Sequence, residues 1–130
     1  MEDKIQKRAT DYNIEIGNFP RGKLNKITDV GGVRVGHSTI KEVENYTGVT
    51  VILPSSENLF PNKMPAASYV LNGFGKSAGL IQIDELGTLE APIALTATLN
   101  VGKVLDSMID YVLGICENDG ISVRSVNIPV

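Results

Sequence analysis

Residues 72–102 read NGFGKSAGLIQIDELGTLEAPIALTATLNVG, and this stretch decides how the rest of the chain is organised. It joins a glycine-rich turn, a short segment with the acids Asp84, Glu85 and Glu90, and an apolar segment after the fixed turn at Pro92. The segments before it predict scaffold strands, and the segment after it predicts one long helix. We therefore interpret the stretch as half of a functional site, with the other half outside this chain.

The clearest helix of the chain is predicted directly after Asn100, which suits the N-cap position. Its apolar positions recur at spacings of three and four and form one stripe: Val101, Val104, Leu105, Met108, Ile109, Val112, Leu113 and Cys116. The sequence Asn118-Asp119-Gly120 ends the helix, since glycine adopts the left-handed C-cap conformation readily. A further strand is predicted over 121–130, and its apolar end leads us to expect a fragment of a longer fold.

The N-terminal side of the chain predicts several strands, because alternating and β-branched segments are separated by turn residues. The predicted strands cover 24–27, 33–37, 47–53, 66–71 and 91–99, the last with Ile93, Leu95, Ala97 and Leu99 on one face. Residues 38–44 leave a hairpin and an irregular link as alternatives, and 77–85 predicts one or two helical turns. Residues 1–13 predict a frayed or weakly helical lead-in, and the proline-containing segment 54–65 predicts a surface loop. Together these elements predict one α/β domain over residues 1–130.

The composition excludes several classes of function. Apolar residues make up 42% of the chain and charged residues 21%, as in ordinary globular domains. The net charge of −3 argues against nucleic acid or an anionic membrane as the main partner. No apolar run approaches the ~18–20 residues that cross a bilayer, and the N-terminus lacks a secretory signal. The single cysteine excludes an internal disulfide, so we expect a reducing, cytoplasmic location.

The glycines at positions 73, 75 and 79 form the pattern GxGxxxG. A dinucleotide-binding turn needs GxGxxG followed by a long helix, whereas this spacing is one residue longer and Gly87 interrupts the segment that follows. Nucleotide binding is therefore the weaker hypothesis. The alternatives are a tight turn where two backbone segments pass closely, or backbone amides held near a ligand.

The acids of the central stretch are not equivalent. Adjacent carboxylates are usually solvated, and we expect this for Asp84 and Glu90. Glu85 stands in Glu-Leu-Gly, beside the glycine-rich turn and before an apolar segment. A carboxylate in that position can hold a substrate ammonium group or support proton transfer. Considered from the residues alone, a solvated Glu85 is still the favoured interpretation.

The remaining candidate residues do not form a catalytic set within the chain. His37 is the single histidine, which excludes a metal site built from several His or Cys side chains. We expect His37 to bond to backbone at the end of a strand. Cys116 lies on the apolar helix stripe and is expected to be a small core residue rather than a nucleophile.

Several sequence blocks resemble, in order, the N-terminal part of the DmpA-like aminopeptidases, a family that includes L-aminopeptidase/D-esterases and β-peptidyl aminopeptidases. The blocks are NKITDVGGVRVGH (25–37), TGVTVILP (47–54), NGFG (72–75), Gly79-Leu80, ELGTLEAPI (85–93), LTAT (95–98) and Val101-Gly102. The resemblance extends over about residues 14–130. Because several blocks match in register, it is more specific than any single motif.

The resemblance implies a fold and a mechanism. The fold is part of an αββα four-layer sandwich of the DmpA/ornithine acetyltransferase-like type. The mechanism is that of a self-processing serine aminopeptidase, cleaved before a serine that becomes the N-terminal nucleophile of a second chain. The substrates are small peptides, amides or esters with a free amino end, and no cofactor or metal is implied. That serine, and an asparagine expected just beyond Val130, are absent from this chain.

The resemblance also assigns substrate-binding residues. Glu85 is similar to the family acid that meets the substrate amino group. The residues expected to line or support the same cleft are Leu86, Gly87, Leu89, Asn72 and Gly73. We further expect a partner chain or segment that carries the nucleophile, and a homo-oligomer, because a half-sandwich exposes an apolar sheet face. The alternative hypothesis is a truncated, catalytically inactive binding or assembly protein.

Overall fold

A computed structural model describes residues 7–130, so the first part of the lead-in predicted over 1–13 lies outside the described residues. The regular elements are strands β1 (Arg34–Lys41), β2 (Tyr46–Leu53), β3 (Met64–Pro65), β4 (Thr88–Leu89) and β5 (Ile93–Thr96), and helices α1 (Leu80–Leu86) and α2 (Val101–Asn118). Short 3-10 turns cover Ala9–Tyr12, Ile27–Asp29 and Thr98–Asn100. The described chain is therefore a mixed α/β structure, as the sequence predicts.

The main sheet has three antiparallel strands in the order β1-β2-β5. Strands β1 and β2 form a hairpin that is closed by backbone bonds between Glu42 and Asn45, at 2.9 and 3.3 Å. This result decides between the hairpin and the irregular link that the sequence left open at 38–44. Strands β3 and β4 form a separate two-stranded ladder in which Met64 faces Leu89.

Helix α2 covers one face of the main sheet and forms the larger core. Its inward stripe of Val104, Met108, Val112 and Cys116 is buried, and Ala94 of β5 is fully buried beneath it. The predicted stripe is confirmed at these positions, and the Cys116 thiol is free and buried, as expected. Each fully buried side chain of this size contributes about 1.5–3 kcal/mol through removal of apolar surface from water.

The alternation predicted along 91–99 is wrong about which face is covered. Ala94 is buried, whereas Leu95 is 54% exposed and Leu99 is 97% exposed. Residues Ile93 to Thr96 are apolar or small on both faces, so their pattern does not distinguish the two sides. The packing of α2 makes that choice, and the 3-10 turn at Thr98–Asn100 ends the strand before Leu99.

Three predicted strands are absent from the described residues. At 24–27 the Asp29 carboxylate accepts hydrogen bonds from the backbone N–H groups of Leu24 and Lys26, which folds a 3-10 turn instead. Residues 66–71 are mostly exposed and belong to no strand. Residues 121–130 are irregular.

Helix α2 has the predicted limits, but its cap differs from the expected one. Asn100 occupies the N-cap position without a side-chain cap, and its amide lies 3.5 Å from the Thr47 hydroxyl. Gly120 follows the helix in a left-handed conformation (φ 70°), as predicted. The predicted surface loop 54–65 is only partly exposed, since it buries Leu59 in a second core cluster. Among residues 7–130, no helix combines the length and hydropathy needed to cross a bilayer.

Candidate functional site

Helix α1 carries the acids of the central stretch and lies between two glycines with left-handed backbone. Gly79 (φ 78°) precedes the helix, and Gly87 (φ 65°) ends it by donating its N–H to the Ile83 carbonyl. Ile83 is buried against Leu59 and Leu89. Because this contact fixes one face of the helix, the opposite face, with Ile81 88% exposed, is directed toward solvent.

An open cleft of about 700 Å³ lies beside α1. One wall is formed by α1, including Gln82, Glu85 and Leu86, and the other wall includes Ser125 and Asn127 from the C-terminal segment. Glu90 also contacts the cleft. The cleft therefore combines an exposed carboxylate on α1, a second carboxylate from beyond β4, and neutral polar groups from two parts of the chain.

Glu90 is buried and fully partnered, so the expectation that it is solvated is wrong. It is 7% exposed, its Oε2 lies 2.9 Å from the Lys63 ammonium, and its Oε1 accepts a 2.8 Å hydrogen bond from the Asn127 backbone N–H. Burial alone raises the pKa of the Glu90 carboxyl. The hydrogen bond and charge of Lys63, with the Asn127 and Gln82 hydrogen bonds, outweigh burial and hold this pKa below its usual value.

Asn127 holds the C-terminal segment against the turn before α1. Besides its backbone bond to Glu90, its side-chain amide donates to the Gly79 carbonyl at 2.9 Å. A Cβ atom at Gly79 would clash with the Ile128 carbonyl and stand 2.9 Å from the Pro129 nitrogen. The close backbone approach predicted for the glycine pattern is therefore confirmed at Gly79.

The other two glycines of the pattern are in a different environment. Gly73 and Gly75 are exposed, and added Cβ atoms would meet nothing within 4 Å. The three glycines therefore do not form one continuous tight turn. This geometry gives no support to the nucleotide-binding hypothesis.

The structure places the predicted substrate-binding residues in three different environments. Glu85 and Leu86 are exposed and line the cleft. Gly87 ends α1, and Leu89 is 6% exposed within the second core cluster. Asn72 and Gly73 lie in an exposed turn where the side-chain Oδ1 of Asn72 accepts a hydrogen bond from the Phe74 backbone N–H at 3.0 Å. These substrate-binding roles remain predictions.

The other candidate residues have structural partners. His37 Nδ1 lies 2.8 Å from the Thr50 hydroxyl on the neighbouring strand, so the expected bond to backbone is wrong. Asp84 is exposed, as expected, and accepts a short hydrogen bond from the Ser68 hydroxyl. Within residues 7–130, no group of three His, Cys, Asp or Glu side chains is placed to hold a metal ion.

Sequence reasoning missed Lys63, Gln82 and Asn127. Each becomes important only through the Glu90 carboxylate, which lies far from Lys63 and Asn127 along the chain. Lys63 stands in a proline-containing loop, and no spacing rule connects it to Glu90. The one available signal was the position of Glu90 directly before the apolar Ala91-Pro92-Ile93, which favours burial of its neighbourhood.

Comparison with known proteins identifies the family. The sequence pattern of peptidase family S58 matches residues 25–130, and the chain belongs to this family. The chain is 40% identical over 116 residues to the β-peptidyl aminopeptidase BapA of Sphingosinicella xenopeptidilytica, and 30% identical over 115 residues to that of Sphingosinicella microcystinivorans. These alignments cover 82% and 80% of this chain and 28% of each relative.

Solved structures agree with this assignment. The PH0078 protein from Pyrococcus horikoshii OT3 is 44% identical with a TM-score of 0.85, and a Burkholderia sp. β-aminopeptidase is 40% identical with a TM-score of 0.83. Each match covers 95% of this chain, but 38% and 35% of the solved chains respectively. The resemblance drawn from the sequence blocks is confirmed, and this chain corresponds to about a third of such structures.

Proposed function

We propose that the protein is an aminopeptidase- or amidase-type hydrolase for small peptides, amides or esters with a free amino terminus. Its membership of family S58 and its similarity to proteins named β-peptidyl aminopeptidases support the reaction class. The observation that carries the substrate assignment is the exposed Glu85 carboxylate on the cleft wall. Since no ion pair within residues 7–130 involves Glu85, its carboxylate is free to accept a substrate ammonium group.

The nucleophile in this proposal is a serine outside the present chain, released as an N-terminus by self-cleavage. The serine hydroxyl attacks the substrate carbonyl, and its proton passes to the serine α-amino group or a neighbouring base. The amine leaves with a proton, and water then hydrolyses the acyl-enzyme ester to release the acid. Glu85 contributes by holding the substrate amino group so that the carbonyl lies within reach of the serine.

The proposal includes the rest of the fold. The chain spans about a third of the related structures, and the sheet face opposite α2 exposes Leu95. A second sheet from the nucleophile-bearing segment, covering this face in an αββα sandwich, removes that apolar surface from water. We further propose a cytoplasmic homo-oligomer that works without a cofactor.

A direct test uses the protein produced from its complete reading frame. We expect hydrolysis of alanine and β-alanine p-nitroanilides. Mass spectrometry should show a second chain that begins with serine and is labelled there by a serine-directed fluorophosphonate. An active protein labelled within residues 1–130 would overturn the assigned nucleophile.

The same experiment decides between the proposed hydrolase and the competing hypothesis of a truncated binding or assembly protein. A native product of 130 residues without a partner chain, and without hydrolysis, would establish the truncated binding or assembly protein instead. Measuring the intact mass before adding substrate separates this outcome from simple loss of activity during purification.

A further inference from the structure

The cleft beside α1 contains two carboxylates whose charges are balanced differently. Glu85 is exposed and, within residues 7–130, forms no ion pair. Glu90 also contacts the cleft, but its charge is opposed by the Lys63 ammonium at 2.9 Å. The net charge that a bound molecule experiences in the cleft is therefore close to one negative charge rather than two.

Lys63 reaches Glu90 from outside the cleft. Its side chain is not among the residues that line the cleft, and it is 40% exposed. Its ammonium group also donates to the Phe60 carbonyl at 2.7 Å and lies 4.8 Å from the centre of the Phe60 ring. These contacts fix the cation in one position, so Lys63 can set the cleft charge without touching a bound molecule.

We propose that Lys63 determines charge specificity by neutralising Glu90, so that the cleft selects substrates whose only positive charge is the amino group held by Glu85. The inference rests on the proposed function and names the substrate class within it. Substrates with a second cation in the first residue, such as lysyl amides, then find one carboxylate for two ammonium groups. Substrates with an uncharged first side chain bring one ammonium group, which matches the one unpaired carboxylate of the cleft.

Removing the charge of Lys63 and removing the charge of Glu90 should have opposite effects on the preference of the cleft for a second cation. Without the Lys63 charge, Glu90 presents an unopposed negative charge at the cleft, which attracts a second cation. Without the Glu90 charge, the Lys63 ammonium is unopposed and repels that cation. For charges separated by several ångströms in a partly solvated site, either change is worth roughly three- to tenfold in relative preference.

The test measures kcat/KM for lysine p-nitroanilide and for norleucine p-nitroanilide, because the two side chains have the same carbon skeleton and differ in charge. The variants of the complete protein are Lys63→Met, Glu90→Gln and the double variant, with Lys63→Arg as the charge-retaining control. We expect the lysine-to-norleucine ratio to rise roughly three- to tenfold in Lys63→Met and to fall by a similar factor in Glu90→Gln. In the double variant and in Lys63→Arg it should return to within about twofold of the unchanged protein.

Each outcome supports or overturns the proposal. A ratio unchanged in Lys63→Met, or moving in the same direction in both single variants, overturns it, since a merely structural role lowers both rates together. If Lys63→Met does not fold, the proposal is judged by Glu90→Gln, in which the lysine-to-norleucine ratio must fall. If the unchanged protein hydrolyses neither of these substrates nor the p-nitroanilides of alanine and β-alanine, the proposed function fails. The charge proposal is then judged by NMR titration with butylamine and 1,4-diaminobutane, where Glu90→Gln must weaken diamine binding more than monoamine binding.

Discussion

The floor and the rim of the cleft beside α1 use the same kind of side chain in opposite ways. At the floor, Glu90 is 7% exposed and is held by Lys63 and the Asn127 backbone. At the rim, Glu85 is exposed and, among the described residues, has no ion-pair partner. A partnered buried carboxylate holds elements of the fold together, whereas an unpartnered exposed one is available to a ligand. Substitutions at the floor should therefore change stability as well as the charge preference of the cleft, whereas those at the rim should change recognition of the substrate amine with little effect on stability.

The largest effect on stability is expected from Gly79→Ala, in the turn that is bonded to the floor residue Asn127. The new Cβ would clash with backbone of Ile128 and occupy a left-handed conformation, so we expect a loss of about 3 kcal/mol or more in the free energy of unfolding. Urea denaturation measures this loss. Gly75→Ala is the matched control, since a Cβ there meets nothing within 4 Å. Equal losses in the two variants would show that the C-terminal segment is not held against the turn.

The two isoleucines of α1 provide the next comparison. Ile83 is 5% exposed and Ile81 is 88% exposed. Ile83→Ala should cost about 2–4 kcal/mol because it leaves a cavity against Leu59 and Leu89. Ile81→Ala should cost less than about 0.5 kcal/mol. Thermal or urea unfolding of both variants checks the orientation of α1, and a reversed order would rotate Glu85 away from the rim.

Removing the partner of the floor carboxylate should have a smaller effect. We expect Lys63→Met to reduce the free energy of unfolding by about 1–2 kcal/mol, less than for a fully buried ion pair because Lys63 is 40% exposed. Glu85→Gln at the rim should change it by less than about 0.5 kcal/mol. Urea denaturation at pH 7 compares the two. A larger loss for Glu85→Gln would contradict the division between floor and rim.

The smallest effect is a dependence on pH. Since the partners of Glu90 hold its pKa below the ordinary value of 4.5, the folded protein binds fewer protons there than the unfolded chain. The resulting stability is present above pH 4.5 and is lost as the pH falls toward the lower folded pKa. Its slope is at most about 1.4 kcal/mol per pH unit. Glu90→Gln should remove this part of the acid dependence, and identical pH profiles of the two proteins would contradict it.

The sequence predicted the elements that neighbouring residues specify, and it failed where a side-chain hydrogen bond or the packing of a distant element decides the structure. The stripe of α2 and the strand over 47–53 were predicted, because local periodicity and Pro54 specify them. The prediction of a strand at 24–27 was wrong because the Asp29 carboxylate accepts hydrogen bonds from nearby backbone N–H groups. The choice of covered face at Ala94 depends on where α2 packs, which no local pattern contains.

The predictability of the site shows the same limit. Glu85 was singled out from its position beside a glycine-rich turn and from the family resemblance, and the structure places it at a cleft. Glu90 was expected to be solvated because adjacent acids usually are. Its burial depends on Lys63 and Asn127, which approach from distant parts of the chain. Sequence therefore indicated the residue of the rim and missed the one that the tertiary fold encloses at the floor.

The most direct test of the central claim is Glu85→Gln in the complete protein. The measurement is kcat/KM for alanine p-nitroanilide and for its N-acetylated form, which lacks the ammonium group. Loss of a charge-assisted hydrogen bond predicts a decrease of roughly tenfold or more for the free amine. The slower reaction of the acetylated substrate should change by less than about twofold, since that substrate makes no such bond. An equal decrease for both substrates would contradict recognition of the substrate amine by Glu85.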